Sequence, residues 1–327
     1  MKNIRVVIIS MIITLFFNNA LSAQTKPYSV NFKPYFGLNS GKTDYTMDLK
    51  YPDGGFTYFL KSQLEFPLDQ TMVGGEVELK LQPGTQREWA FAVGFCTHAN
   101  DPSGIMYDHD WTNYPSRIYE KVSYTESDAK GKNYILMVAL DKLMLIGNKG
   151  SISLSGGFKY QKIEQDIYGL KGWQLDLDGV KFEFDIPDVH GLFYEITYKL
   201  PNAGFRINYF LNQKLSFNSR IAYTRALITD FDDHLLRFKT TESEITGNGL
   251  LADFGLRMDF GNIPGRGLFI EFDGDFTYIK ASGTSTQSWY GDDPLSEEDD
   301  TGQILTGIPH EISTTQFRIG LVLGLGI

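Results

Sequence analysis

Cysteine is nearly absent. Cys96 stands alone among 327 residues, which excludes a disulfide framework and a thiolate metal cluster. Positive charge is in deficit: 30 Lys and Arg against 40 Asp and Glu give a net charge of −10, the wrong sign for a protein that neutralises nucleic-acid phosphates. Beyond residue 20 no run approaches the ~18 apolar residues of a membrane helix. The sequence also lacks a Gly-x-Ser-x-Gly elbow, a Walker loop and a His-Glu-x-x-His pair, so three common catalytic frameworks are missing. Aromatic residues, by contrast, make up 14% of the chain, too many for a disordered polypeptide. The length suits one large β domain or two ordinary ones.

Residues 1–23 have the order of a secretory signal. Lys2 and Arg5 precede an apolar run from Val6 to Phe17, and Ala20-Leu21-Ser22-Ala23 follows with small residues at the cleavage site. Twelve residues of helix cover about 18 Å, short of a ~30 Å hydrocarbon core. The segment is therefore expected to be removed after Ser22 or Ala23, leaving residues 24–327 as one exported domain with a net charge of −12.

That domain alternates with period two. Val73, Gly75, Val77, Leu79 and Leu81 interleave with Gly74, Glu76, Glu78 and Lys80. The same pattern recurs over Trp89–Phe95, Leu250–Phe260, Leu268–Tyr278 and Phe317–Ile327. Strands with two unlike faces suit a soluble sandwich, apolar side inward, or a membrane barrel, apolar side toward lipid. The export signal and a final segment that is itself a strand favour the barrel. So does the alternation of connections. Short turns fall at 82–84, 147–150, 211–214 and 262–265, and polar segments at 98–130, 170–188, 233–247 and 286–305 separate them. With a hairpin tip at Pro52-Asp53-Gly54-Gly55, these connections join ten strands. The expected fold is an all-β, ten-stranded antiparallel transmembrane β-barrel with short turns in the periplasm and extended extracellular strands and loops. The stretches 56–81 and 215–232 exceed the ~9–11 residues of one crossing, so the wall should rise above the membrane.

Two acidic clusters lie where that wall should end: Asp108-His109-Asp110-Trp111 and Asp230-Phe231-Asp232-Asp233-His234. Residues i and i+2 of a strand share a face, so Asp108 projects with Asp110, and Asp230 with Asp232 and His234. A carboxylate beside an imidazole fixes its tautomer and supports the imidazolium, as a general base requires. Two adjacent carboxylates tend to share a proton. Water held between the clusters would be a nucleophile. The same side chains also fit a solvated surface or a Ca²⁺ or Zn²⁺ site. His98 and His310 have no carboxylate at i±2, and Cys96 fits a small packed residue on an inward face.

These residues sit within a wider resemblance. Phe36-Gly37-Leu38-Asn39-Ser40-Gly41-Lys42-Thr43, Ser62-Gln63-Leu64-Glu65-Phe66, Asp108-x-Asp110-Trp111 and Asp230-x-Asp232-x-His234 occur in the order of the omptins, ten-stranded outer-membrane proteases. The resemblance implies an endopeptidase that needs no metal, cofactor or acyl-enzyme. In it His234 takes a proton from water, Asp232 orients the imidazole, and Asp108 and Asp110 hold the water from the opposite wall. It also implies cleavage near basic residues, with Asp230 at one acidic position, Tyr45 where omptins carry Glu, and a third position near Glu126. Lys162 matches a basic residue that contacts outer-membrane lipid, lipopolysaccharide in particular, and Thr197 replaces an omptin Arg. Peptides or protein segments are the implied substrates, and nucleic acid is not a partner. The alternative from another class is a non-catalytic outer-membrane barrel, an adhesin or a pore, on the same scaffold.

Overall fold

The computed structural model describes residues 27–53, 55–114, 118–176, 178–260, 267–294, 296 and 299–327. The expected signal segment, and the turn at 262–265, lie outside the described residues. Twelve strands make one sheet. They are β1 (Tyr28–Asp53), β2 (Phe56–Pro67), β3 (Gln70–Leu81), β4 (Trp89–His98), β5 (Pro102–Thr112) and β6 (Glu120–Gly147). Then follow β7 (Gly150–Leu175), β8 (Lys181–Phe210), β9 (Leu215–His234), β10 (Lys239–Asp259), β11 (Gly267–Trp289) and β12 (Ile304–Gly326).

The strands number twelve, yet they form ten crossings. β2 and β3 are two halves of one span broken at Leu68 and Asp69, and β4 and β5 two halves of another broken at 99–101. At one level β1 pairs with β3, which leads through β4 to β6; at the other it pairs with β2, which leads through β5 to β6. β12 pairs antiparallel with β1 from Asn31↔Gly326 to Met47↔His310, and this closes the ring. A closed sheet leaves no edge, which excludes the two-sheet sandwich.

The two breaks lie side by side and hold each other. Pro67 and Pro102 supply no N–H to a ladder. The Asp69 amide instead donates to the Ser103 carbonyl at 3.1 Å. Buried amide side chains then reach the carbonyls that the breaks set free. Asn39 Nδ2 donates to Leu68 O at 2.6 Å, Gln70 Nε2 to Gly131 O at 2.5 Å, and Gln165 Nε2 to Pro67 O at 2.5 Å. Gly41, in the Ser-Gly-Lys-Thr stretch, sits beside them with φ of 142°, and a Cβ there would lie 2.1 Å from the Thr315 carbonyl oxygen.

The polar segments at 98–130, 170–188 and 233–247 are mostly strand, not loop, whereas 286–305 is strand only at its two ends, up to Trp289 and from Ile304. β6 and β8 run 28 and 30 residues, nearly three times one crossing. These segments are polar because the wall continues beyond the apolar belt into water. The belt is carried by outward side chains near the short turns, among them Phe91, Val93, Phe95, Phe205, Ile207, Leu321 and Leu323. Inward at that level are charges: Lys159 Nζ lies 3.2 Å from Asp275, and Arg206 Nε 2.9 Å from Asp141. Above them the interior is apolar. Tyr45, Leu64, Phe66, Tyr194, Ile196, Ile228 and Ile312 form a buried plug within the ring, and the candidate site residues stand on it.

Candidate active site

β9 carries one wall of the site. Its buried residues Ile228, Asp230 and Asp232 alternate inward, and His234 ends the strand. His234 Nε2 lies 3.3 Å from Asp232 Oδ1, the carboxylate being fully buried and the imidazole about one-fifth exposed. Burial works to raise the Asp232 carboxyl, but the His234 charge and hydrogen bond, with Tyr45 and Lys239 nearby, overcome it and hold the group below the ordinary carboxylate range. An imidazole backed by a buried carboxylate is oriented and stabilised when protonated.

β5 carries the opposite wall. Its pairing with β6 shifts register between Asp110 and Trp111, and Ser123 Oγ donates to Asp110 Oδ2 at 2.7 Å. Asp108 lies one inward step below. Burial, reinforced by the Asp110 charge, pushes the Asp108 carboxyl well above its usual value. Of the two carboxyls, Asp108 is the one whose surroundings favour the protonated form.

Around the ring the two walls are separated by β10, β11, β12, β1 and β2. Lys239 connects them electrostatically. Its Cα pairs with that of His234 across the β9–β10 hairpin, and its ammonium is within charge range of Asp232 on one wall and Asp110 on the other. Burial and Arg237 push this amine down to about 8 against the pull of Asp232, Asp293 and Asp110. Sequence reading missed Lys239, because only the hairpin register shows that it stands beside His234.

The remaining expected positions divide. Asp230 is buried, with His310 Nε2 3.2 Å from its Oδ2, and Ser243 Oγ donating to Oδ1. His310 has no local carboxylate in the sequence; its partner Asp230 comes from β9, across β10 and β11. Tyr45 is fully buried rather than lining an open surface, its hydroxyl 3.4 Å from Met47 Sδ. Glu126 faces away from the groove. Asp108 pairs with Thr125, so the neighbouring Tyr107–Glu126 pair takes the opposite face, where the Tyr124 hydroxyl donates to Glu126 at 2.5 Å. Glu126 is thus corrected from a groove residue to an outer-wall residue. Lys162 points outward, with Nζ 2.9 Å from Glu164 and 3.0 Å from Glu195. Among the described residues no group of three or more His, Cys, Asp or Glu side chains is placed to hold a metal ion.

The closed ten-crossing barrel thus carries an Asp–His pair on one wall and an Asp–Asp pair on another, with the Lys239 ammonium within charge range of both. The profile of the Omptin family matches residues 36–312, and the chain belongs to that family. Among solved structures it is similar to the outer membrane protease OmpT from Escherichia coli, at 15% identity over 93% of this chain and 99% of that one, with a TM-score of 0.72. A FadL homologue of Pseudomonas aeruginosa aligns over 91% and 90% of the two chains at 9% identity with a TM-score of only 0.23, too low to carry an argument. No curated protein matches the sequence.

Proposed function

We propose that the protein is an outer-membrane endopeptidase in which water, activated by His234, attacks a peptide bond at the extracellular mouth of the barrel. The observation that carries this reading is the His234–Asp232 contact of 3.3 Å with Asp232 wholly buried. His234 takes the proton from water; Asp232 keeps the imidazole in place and offsets its charge. Asp110 accepts a hydrogen bond from the same water, while protonated Asp108 donates toward the carbonyl oxygen as it becomes an oxyanion. His234 then returns its proton to the leaving amine. Every step uses protein groups and water. Family membership and the apolar belt support the outer-membrane location, and the polar extension beyond the belt supports an extracellular site. Lys162, outward and above the belt, is the side chain we assign to contact with lipid headgroups, lipopolysaccharide included.

The apolar plug weighs against the pore alternative, because buried side chains fill the ring at mid-height. Refolded protein in detergent micelles should cleave a mixed peptide library, and His234→Ala should reduce the rate by at least about 100-fold. Equal cleavage by wild type and His234→Ala protein would remove the basis for this function.

A further inference from the structure

The inner face of β9 runs from His234 through Asp232 to Asp230, so a substrate side chain entering along it beside the bond under attack would meet Asp230 next. A free carboxylate there would attract a cationic side chain. Asp230 is not free. Ser243 Oγ donates to Oδ1, and His310 Nε2 lies 3.2 Å from Oδ2. The side chains of Asp230 and His310 are 1% and 0% exposed. Tyr45 closes the space above: its ring is 4.4 Å from the His310 imidazole and 6.1 Å from Tyr194, which stacks on Phe66 at 3.8 Å. Four strands of the ring thus supply one sealed cluster: Asp230 from β9, Ser243 from β10, His310 from β12 and Tyr45 from β1.

A buried carboxylate must have partners, and once it has them it offers little to an incoming cation. A guanidinium entering here would lose its hydration and meet an aromatic cover instead of an anion. It would also approach Lys239, which is buried on the same inner face and pairs in register with His234. Both features disfavour positive charge at this position, and they arise from different residues.

We infer that the subsite beside His234 accepts an uncharged side chain, and that His310 and Tyr45 set this selectivity by sealing Asp230 from the substrate. This departs from the cleavage near basic residues that the family resemblance implies. It rests on the peptidase reading and narrows it to peptides with a neutral residue at the scissile bond in the position that meets β9.

The test uses three peptides that differ at that one residue, carrying Gln, Arg or Glu, digested by the refolded full-length barrel. The Gln peptide should show kcat/KM at least tenfold above the Arg peptide, and His310→Ala should raise the Arg-to-Gln ratio at least tenfold by exposing Asp230. Equal or faster cleavage of the Arg peptide by wild type, fastest cleavage of the Glu peptide, or an unchanged ratio in His310→Ala protein each overturns the inference. A second measurement does not need catalysis or the variant. Carbodiimide with a small amine should label exposed Asp292 in the native barrel and leave Asp230 unlabelled; labelling of both refutes the seal. If no peptide is cut while Asp230 stays protected, the peptidase reading fails and the seal stands; the reverse pattern separates the two in the other direction.

Discussion

Lys239 and His234 are paired residues of one hairpin, and their side chains share the inner face of the barrel. The pairing places a cation beside the imidazole and within charge range of Asp110 on the opposite wall. A positive charge in this position favours the ionised form of the carboxylates around it. Lys239→Met should therefore move the acidic limb of the kcat/KM profile to higher pH, since Asp232, which acts ionised, loses a charge that lowers it. A profile that keeps its acidic limb would show that Lys239 is electrostatically silent.

Stability gives an independent reading of the same residue. In the folded barrel the amine is lowered from 10.5 to about 8. A depressed folded value means that the contribution is complete above the unfolded value and is lost as pH falls through the folded one. Wild-type thermal stability should thus decline from pH 10.5 to 8 relative to Lys239→Met protein, by on the order of 3 kcal/mol. Heat-modified mobility on gels, measured across that interval, follows the change.

The two carboxylates on β5 should respond unequally to amide substitution. Asp108 is held in its protonated form by burial and by Asp110, and asparagine imitates a protonated carboxyl. Asp108→Asn is expected to lower kcat/KM by less than about tenfold, whereas Asp110→Asn, which removes the acceptor, should cost about 100-fold or more. Reversed effects would reassign the proton to Asp110.

At the paired strand breaks, Gln165 donates to the Pro67 carbonyl at 2.5 Å and to Ser103 Oγ at 3.2 Å. Gln165→Leu leaves that buried carbonyl without its donor and should destabilise the barrel by about 1–3 kcal/mol. The urea midpoint of refolding into micelles is the measurement, and activity at low denaturant should be retained.

In the membrane-level interior, Lys159 is 3.2 Å from Asp275 and 2.9 Å from Thr277. Lys159→Met abandons a buried carboxylate and should lower stability by about 3–5 kcal/mol, while Lys159→Met combined with Asp275→Leu should recover much of the loss. A double variant as unstable as the single one would indicate that packing, not charge, governs this level.

The sequence alone determined the barrel. Period-two alternation is a local property, written into neighbouring residues, so Phe91, Val93 and Phe95 announce a lipid face before any partner strand is known. The Asp108–Asp110 and Asp232–His234 pairs were legible for the same reason, since i and i+2 share a face of any strand. Strand length was less legible: polar composition is common to loops and to strands in water, so the wall above the belt read as loop. The facing residue across a closed ring is not a local property at all. Asp230 meets His310 and Ser243, Glu126 turns outward, and Lys239 enters the groove because ring closure and hairpin register set those neighbours. Tertiary structure decided them, because contacts between distant strands follow the stagger of the whole sheet, which no single segment encodes.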